Sequence, residues 1–146
     1  MRIRYGLYLS IASYGLSTAG PCLGSEVLPT RKPGLWQLTT VSDATGMKTF
    51  DTCITAADPV ITGTGDKNCQ TSDVKVLGDE RYVDVVCHSD GARQKTSTVL
   101  TGDFTTWYRA MSKITFDPPE NGLAHMGVTI DGKYLSANCP SETNGR

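Results

Sequence analysis

Alternating apolar and polar residues dominate the chain from residue 34 onward, in segments bounded by glycine, proline, aspartate and asparagine. In the first segment Trp36 and Leu38 fall on one side of an extended strand, and strand-forming residues are frequent. A short helix ending at Ile61 is also predicted, because Thr55 can cap its first turn and Pro59 suits that turn. The segments predicted to be strands are 34–41, 47–52, 69–76, 81–87, 94–101, 105–116, 123–130 and 133–139.

The last two predicted strands are expected to form a hairpin. Asp131-Gly132 lies between them and is the dipeptide that best fits a type I′ turn. Pairing Ile130 with Lys133 predicts a core face and a solvent face. The core face carries Ala124, Met126, Val128, Ile130, Leu135, Ala137 and Cys139, and the solvent face carries His125, Gly127, Thr129, Tyr134, Ser136 and Asn138. Cys139 is therefore expected to point inward.

The fold class predicted from these patterns is mainly β. We expect a single antiparallel sheet of about seven or eight strands, curved into a barrel or a sandwich and carrying one short helix. The 146 residues fit one domain, and the 15 glycines and 7 prolines favour a turn-rich chain. The predicted organisation is a signal peptide over residues 1–24 and one β-rich domain over residues 25–146.

The first 24 residues have the pattern of a secretory signal peptide. Arg2 and Arg4 precede an uncharged, partly apolar stretch that ends in small residues. That stretch is shorter than the about 20 apolar residues of a membrane-spanning helix. Cleavage after Ala19 and cleavage after Gly24 both fit. We therefore expect export to the periplasm, with no transmembrane segment in the mature chain.

The charge balance is close to neutral, with 14 Lys and Arg against 15 Asp and Glu. Loss of Arg2 and Arg4 with the leader leaves 12 basic residues against 15 acidic ones, a net charge of −3. A mildly acidic domain has no electrostatic reason to bind nucleic acid. The expected partners are a small apolar ligand or an envelope protein, and the expected state is a monomer.

Four of the five cysteines remain after cleavage at Gly24, which predicts two disulfides in an oxidising compartment. Three pairings are possible. Spacing favours Cys69 with Cys87, which bracket an apparent hairpin centred on Gly78. Cys53 would then pair with Cys139, closing a loop of about 85 residues that contributes roughly 4 kcal/mol on the entropic account.

The Cys69–Cys87 pairing carries one difficulty. A direct register places Lys75 opposite Arg81, and neither face of that hairpin is then cleanly apolar. Either a bulge shifts the register or the pairing is wrong.

Residues that could carry catalysis or bind metal are sparse. The cysteines lack metal-ligand spacing, and His88 and His125 have no carboxylate at a spacing that would orient them. No catalytic or phosphate-binding motif is present. We expect neither metal nor cofactor, and no enzymatic activity.

One predicted strand carries apolar residues on both faces. Trp107, Arg109, Met111 and Lys113 share one face, and Tyr108, Ala110, Ile114 and Phe116 share the other. A functional interpretation is a ligand pocket walled by Trp107 and Trp36, with Arg109 anchoring an anionic group. The structural interpretation is that Trp107 packs under the stem of Arg109.

The order of several landmarks resembles one family. The landmarks are Arg31-Lys-Pro-Gly-Leu-Trp36, Cys53-Ile-Thr, Cys69 and Cys87 around a hairpin, Gly102-Asp-Phe-Thr-Thr before Tyr108, and Cys139-Pro140. In this order they resemble the family called domain of unknown function 3617, small exported proteins of Gram-negative bacteria. The chain departs from the family at Gln37, where members often have Glu, and at Ser136-Ala-Asn138, where they often have Gly. The resemblance implies an exported, cysteine-bearing domain and brings no assigned activity.

Three functions are compatible with these features. The first is a non-enzymatic periplasmic domain that binds a small apolar ligand or an envelope component. The second is a structural or stress-related interaction module that acts through an exposed strand edge. The third is an enzyme, which would need a histidine beside a carboxylate in a cleft.

Overall fold

The computed structural model describes residues 27–140, and these form eight β-strands. The strands are β1 (Gly34–Ser42), β2 (Gly46–Ile54), β3 (Cys69–Thr71), β4 (Lys75–Leu77), β5 (Glu80–Ser89), β6 (Ala92–Gly102), β7 (Trp107–Glu120) and β8 (Leu123–Ser136). All strand pairs are antiparallel, and the order across the sheet is β2-β1-β8-β7-β6-β5-β3, with β4 also paired to β5. The predicted signal peptide lies outside the described residues.

The predicted single antiparallel sheet is confirmed, and in the described chain it does not close into a barrel. Strand β2 forms one edge, and β3 and β4 follow one another along the opposite edge. Residues 27–140 contain no helix of the length and apolarity needed to cross a membrane.

The predicted short helix is wrong, because residues 55–61 form turns and bends. The Asp58 carboxylate accepts hydrogen bonds from the Thr55 backbone N–H at 2.7 Å and from the Thr55 hydroxyl at 2.9 Å. Such side-chain bonds to the backbone compete with helix formation. Pro59 has no N–H to donate to the Thr55 carbonyl, so the turn cannot continue into a helix.

The predicted hairpin at Asp131-Gly132 is also wrong. Both residues lie inside β8, which is one continuous strand of 14 residues. A Cβ at position 132 would overlap the ring of Tyr108, which lies opposite Gly132 on β7. The glycine therefore makes room for an aromatic ring. The turn before β8 is formed instead by Asn121 and Gly122, whose φ angles are 50° and 81°, as a type I′ turn requires.

An unbroken β8 reverses the predicted faces of its last residues. Tyr134 packs against the core, whereas Leu135 lies on the other side with 41% of its surface exposed. Cys139 is exposed rather than inward. Along an unbroken strand, successive side chains keep pointing to alternate faces. A two-residue turn would have exchanged the faces of the residues that follow it.

A bulge resolves the difficulty with the first cysteine hairpin. Cys69 pairs with Cys87, but Lys75 pairs with Tyr82 instead of Arg81, a shift of one residue. Between the two strands the Ser72 hydroxyl accepts the Asp84 N–H at 3.0 Å. Two disulfides are present, Cys69–Cys87 and Cys53–Cys139.

The core lies on one face of the sheet, which we call the inner face. The buried apolar side chains are Trp36, Leu38, Ile54, Ile61, Val83, Val85, Leu100, Phe104, Tyr108 and Ala110. Leu28 of the lead-in segment and Val60 of the β2–β3 loop pack against this cluster. The opposite, outer face is uncovered in the described chain and exposes several large apolar side chains, including Trp107 and Met111.

Candidate functional site

The structure places the three predicted pocket residues on opposite sides of the sheet. Trp36 is fully buried on the inner face, and its Nε1 donates to the Lys32 carbonyl at 2.8 Å. Trp107 and Arg109 lie on the outer face, where half of the Trp107 surface is exposed. The Arg109 Nε donates to an Asp131 carboxylate oxygen at 2.6 Å, which raises the pKa of Arg109. These three residues form no common pocket, and a ligand-binding role for any of them stays a prediction.

Trp36 belongs instead to an aromatic cluster that fills one half of the inner face. Its ring centroid lies 5.5 Å from that of Tyr108 and 5.4 Å from that of Tyr134, both in edge-to-face geometry. Phe104 stacks on Tyr108 at 5.9 Å. Arg31 closes the cluster by donating to the Tyr108 hydroxyl at 3.1 Å and to the Pro59 carbonyl at 2.8 Å. Arg31, Trp36 and Tyr108 therefore have a structural role in packing the aromatic cluster.

A carboxylate orders the loop that delivers Phe104 to this cluster. Asp103 accepts the hydroxyl of Thr106 and the backbone N–H groups of Thr105 and Thr106, the last two at 2.7 and 2.6 Å. These hydrogen bonds, with that of the Thr106 hydroxyl the largest contributor, hold the pKa of Asp103 far below its usual value. The loop is pinned from the other side by the Lys32 N–H, which donates to the Phe104 carbonyl at 2.8 Å.

The other half of the inner face is not filled. After Ala110, the β7 side chains on the inner face are short or only half-buried. Val60 and Ile61 of the β2–β3 loop cover them. A cavity of about 240 Å³ remains between this loop and the sheet. Its lining residues are Val60, Ile61, Thr62, Gln94, Thr96, Thr98, Ala110, Ser112, Ile114, Val128 and Ile130.

A second, wider cavity adjoins the first at Gln94, which borders both. It measures about 420 Å³ and lies where the β5–β6 and β7–β8 hairpins end. Its lining residues are Cys87, Ser89, Ala92, Arg93, Gln94, Phe116, Pro118, Pro119 and Glu120. We call the two adjoining cavities the inner groove. Both cavities are partly open to solvent, so the groove can admit a small molecule.

The sequence pattern did not single out the groove residues on β6. Gln94, Thr96 and Thr98 alternate onto the inner face, where the pattern alone indicates only polar positions. Their partners on β7 are Phe116, Ile114 and Ser112, of which only Ser112 is small. The sequence signal for the groove was this run of small and polar residues on the covered face of the sheet. It can be recognised only when the pairing register of the strands is known.

The described chain offers little that resembles a catalytic centre. His88 and His125 are both exposed, and within residues 27–140 neither forms an ion pair with a carboxylate. The same residues contain no group of three or more His, Cys, Asp and Glu side chains placed to hold a metal ion. The absence of enzymatic activity stays a prediction.

Together the fold and the groove define a disulfide-bonded, open antiparallel sheet with one partly covered face. Residues 31–139 match the family described as protein of unknown function (DUF3617), and the chain belongs to that family. No curated protein and no solved structure matches the chain. The matched range begins at Arg31 and ends at Cys139, so it includes both the aromatic cluster and the groove.

Proposed function

We propose that this protein is an exported, non-enzymatic binding domain that holds a small apolar ligand in the inner groove. The observation that carries the proposal is the partly covered cavity of about 240 Å³ between the β2–β3 loop and the inner face of the sheet. A partly covered apolar cavity is the usual form of a small-molecule site.

Two further features support this proposal. The cavity wall formed by Val60, Ile61, Ile114, Val128 and Ile130 is apolar, so a ligand would gain by leaving water. The disulfides Cys53–Cys139 and Cys69–Cys87 are stable in oxidising compartments such as the periplasm, where export would place the protein.

The experiment compares ligand content and probe binding in three versions of the full chain. Val128 lines the cavity, and Val128→Phe would fill part of it, whereas Thr115→Phe adds a ring to an exposed position on the outer face. Native mass spectrometry of protein from the periplasm should show bound mass that denaturation removes. A fluorescent apolar probe should bind the wild type and Thr115→Phe alike and bind Val128→Phe at least about tenfold more weakly. Equal binding by all three proteins would contradict the proposal.

The second candidate function is an interaction module that acts through a strand edge, and β2 favours it. Strand β2 is nine residues long, contains no proline and pairs on one edge with β1. Within residues 27–140 no strand pairs with its other edge. Met47 and Phe50 on this strand are exposed. Long unprotected edges are templates for pairing with another strand.

Site-specific photo-crosslinking in the periplasm tests this second candidate. A photoreactive residue at Thr49 on β2 should yield a defined adduct with an identified protein, mapped to an extended segment. The same residue at Thr115, exposed on the central strand β7, is the control. The absence of a Thr49-specific adduct would argue against an edge-pairing function.

A further inference from the structure

We infer that the small end of the inner groove selects an uncharged ligand that carries a hydroxyl or carbonyl group on an apolar body. This inference rests on the proposed function and specifies its ligand class. It follows from the uncharged lining of the cavity of about 240 Å³, in which a polar stripe lies beside apolar side chains.

The first observation is the absence of charge in the lining. Among the lining residues, all within the described chain, none has an ionisable side chain. Moving a charged group out of water without a partner costs far more than apolar burial returns. A carboxylate or ammonium group would therefore stay outside this end of the groove or prevent binding.

The second observation is a polar stripe along one wall. The hydroxyls of Thr98 and Ser112 lie 2.8 Å apart across β6 and β7, and Gln94 and Thr96 continue the stripe along β6. A hydroxyl has one donor and two acceptor lone pairs. The Thr98–Ser112 hydrogen bond uses one donor and one lone pair, which leaves one donor and further lone pairs for a ligand.

The apolar part of the lining comes from two places. Val128 and Ile130 of β8 lie beside the stripe on the same face of the sheet, and Val60 and Ile61 belong to the loop that covers this face. A ligand seated in the cavity would place its alkyl part against these side chains. Its hydroxyl or carbonyl oxygen would face Thr98 and Ser112. A purely apolar ligand would leave the free hydroxyl donor without a partner, which is unfavourable in a buried site.

The test is a panel of four probes with the same alkyl chain: hexane, 1-hexanol, hexanoate and hexylammonium. Each is titrated against the full chain in competition with the fluorescent apolar probe. We expect 1-hexanol to bind at least about tenfold more tightly than either charged probe, and more tightly than hexane by a few-fold.

A pair of double variants assigns the selectivity to the polar stripe. Thr98→Val with Ser112→Ala removes both hydroxyls at once, so neither is left without its partner. The matched control is Thr39→Val with Thr49→Val, which removes a hydroxyl pair 3.0 Å apart on the outer face. The first variant should bind hexane at least as tightly as the wild type does, because no hydroxyl donor is then left without a partner, and should lose the preference for 1-hexanol. The control should keep that preference.

The outcomes separate this inference from the proposed function. If none of the four probes binds, the proposed function fails. If they bind but a charged probe equals or exceeds 1-hexanol, or if the stripe variant keeps the alcohol preference, the ligand class inferred here is wrong and the groove remains a binding site.

Discussion

The two halves of the inner face differ sharply although both include side chains of β7 and β8. One half is filled by Trp36, Phe104, Tyr108 and Tyr134, whose rings contact one another edge to face or stacked. The other half keeps the inner groove. In both halves the side chains of β6 and β7 point alternately to the inner and outer faces. This alternation alone therefore does not decide whether the inner face is filled by a core. Side-chain size and the segment that covers the face decide it.

The covering segments also differ between the halves. The lead-in segment over the aromatic half is fixed by Arg31 and by the Lys32 N–H, which reach Tyr108, Pro59 and Phe104. Over the groove the cover is the short apolar pair Val60 and Ile61. The aromatic half is therefore tied down by hydrogen bonds from its covering segment, whereas two apolar side chains cover the groove.

Replacing the two tryptophans should give the largest contrast in stability. Trp36→Ala empties the centre of the aromatic half and should lower the free energy of unfolding by roughly 3–5 kcal/mol. Trp107→Ala removes a half-exposed ring from the outer face and should change it far less. Urea unfolding measures both. Similar losses in the two variants would mean that the outer face is buried against something in solution.

Removing each disulfide separately should also distinguish the groove from the rest of the fold. Cys53 and Cys139 are separated by 86 residues, and Cys69 and Cys87 by 18. On the loop-entropy account the double alanine variants should lose roughly 4 and roughly 3 kcal/mol, respectively. Because Cys87 borders the groove, only the second variant should also weaken probe binding. Urea unfolding and probe titration check the two effects separately, and weaker binding in the first variant would contradict this assignment.

Adding one methyl group at either of two glycines tests the packing of β8. Gly132→Ala would force its Cβ into the Tyr108 ring and should lower stability by about 1–3 kcal/mol. At Gly127 the nearest neighbour of an added Cβ is a carboxylate oxygen of Asp43 at 3.5 Å, an ordinary contact. Gly127→Ala should be neutral or slightly stabilising. Thermal unfolding distinguishes the two, and a neutral Gly132→Ala would show that Tyr108 can move aside.

The smallest expected effect concerns Asp103 and acid. Its pKa is depressed in the folded chain, so the carboxylate stabilises the fold above its unfolded pKa of about 3.9 and this stabilisation is lost as the pH falls further. Asp103→Asn should be less stable than the wild type at pH 7 and should lose less stability on going to pH 3. Asp90→Asn in the β5–β6 turn controls for the loss of a surface charge. Parallel stability curves for Asp103→Asn and the wild type would contradict this role.

Several sequence predictions succeeded because local chemistry decides them. Asp90 and Gly91, which lie between the predicted strands 81–87 and 94–101, adopt the positive φ angles of a tight turn. The strands before residue 120 follow their alternation, and the preferred cysteine pairing requires only the bulge at Ser72. In each case the signal lies within a few residues of the feature it predicts.

The errors arose where distant residues override local preference. Asp131-Gly132 has strong turn chemistry, yet Arg109 pairs with Asp131 and the ring of Tyr108 occupies the space over Gly132. Both partners are on β7, more than 20 residues earlier in the chain. The predicted short helix failed for a local reason. The Asp58 carboxylate accepts the Thr55 backbone N–H, and Pro59 has no N–H to continue a helix, so residues 55–61 form turns and bends.

Local patterns were sufficient to predict a β-rich chain with two disulfides, the positions of most strands and turns, and membership of a family with these landmarks. Contacts between distant segments set three further features: the sheet stays open, Trp36 and Trp107 face opposite ways across it, and a groove remains beside the aromatic cluster. Alternation can only assign each side chain to one of two faces. Which face is covered, and how completely, depends on contacts between segments far apart in the chain.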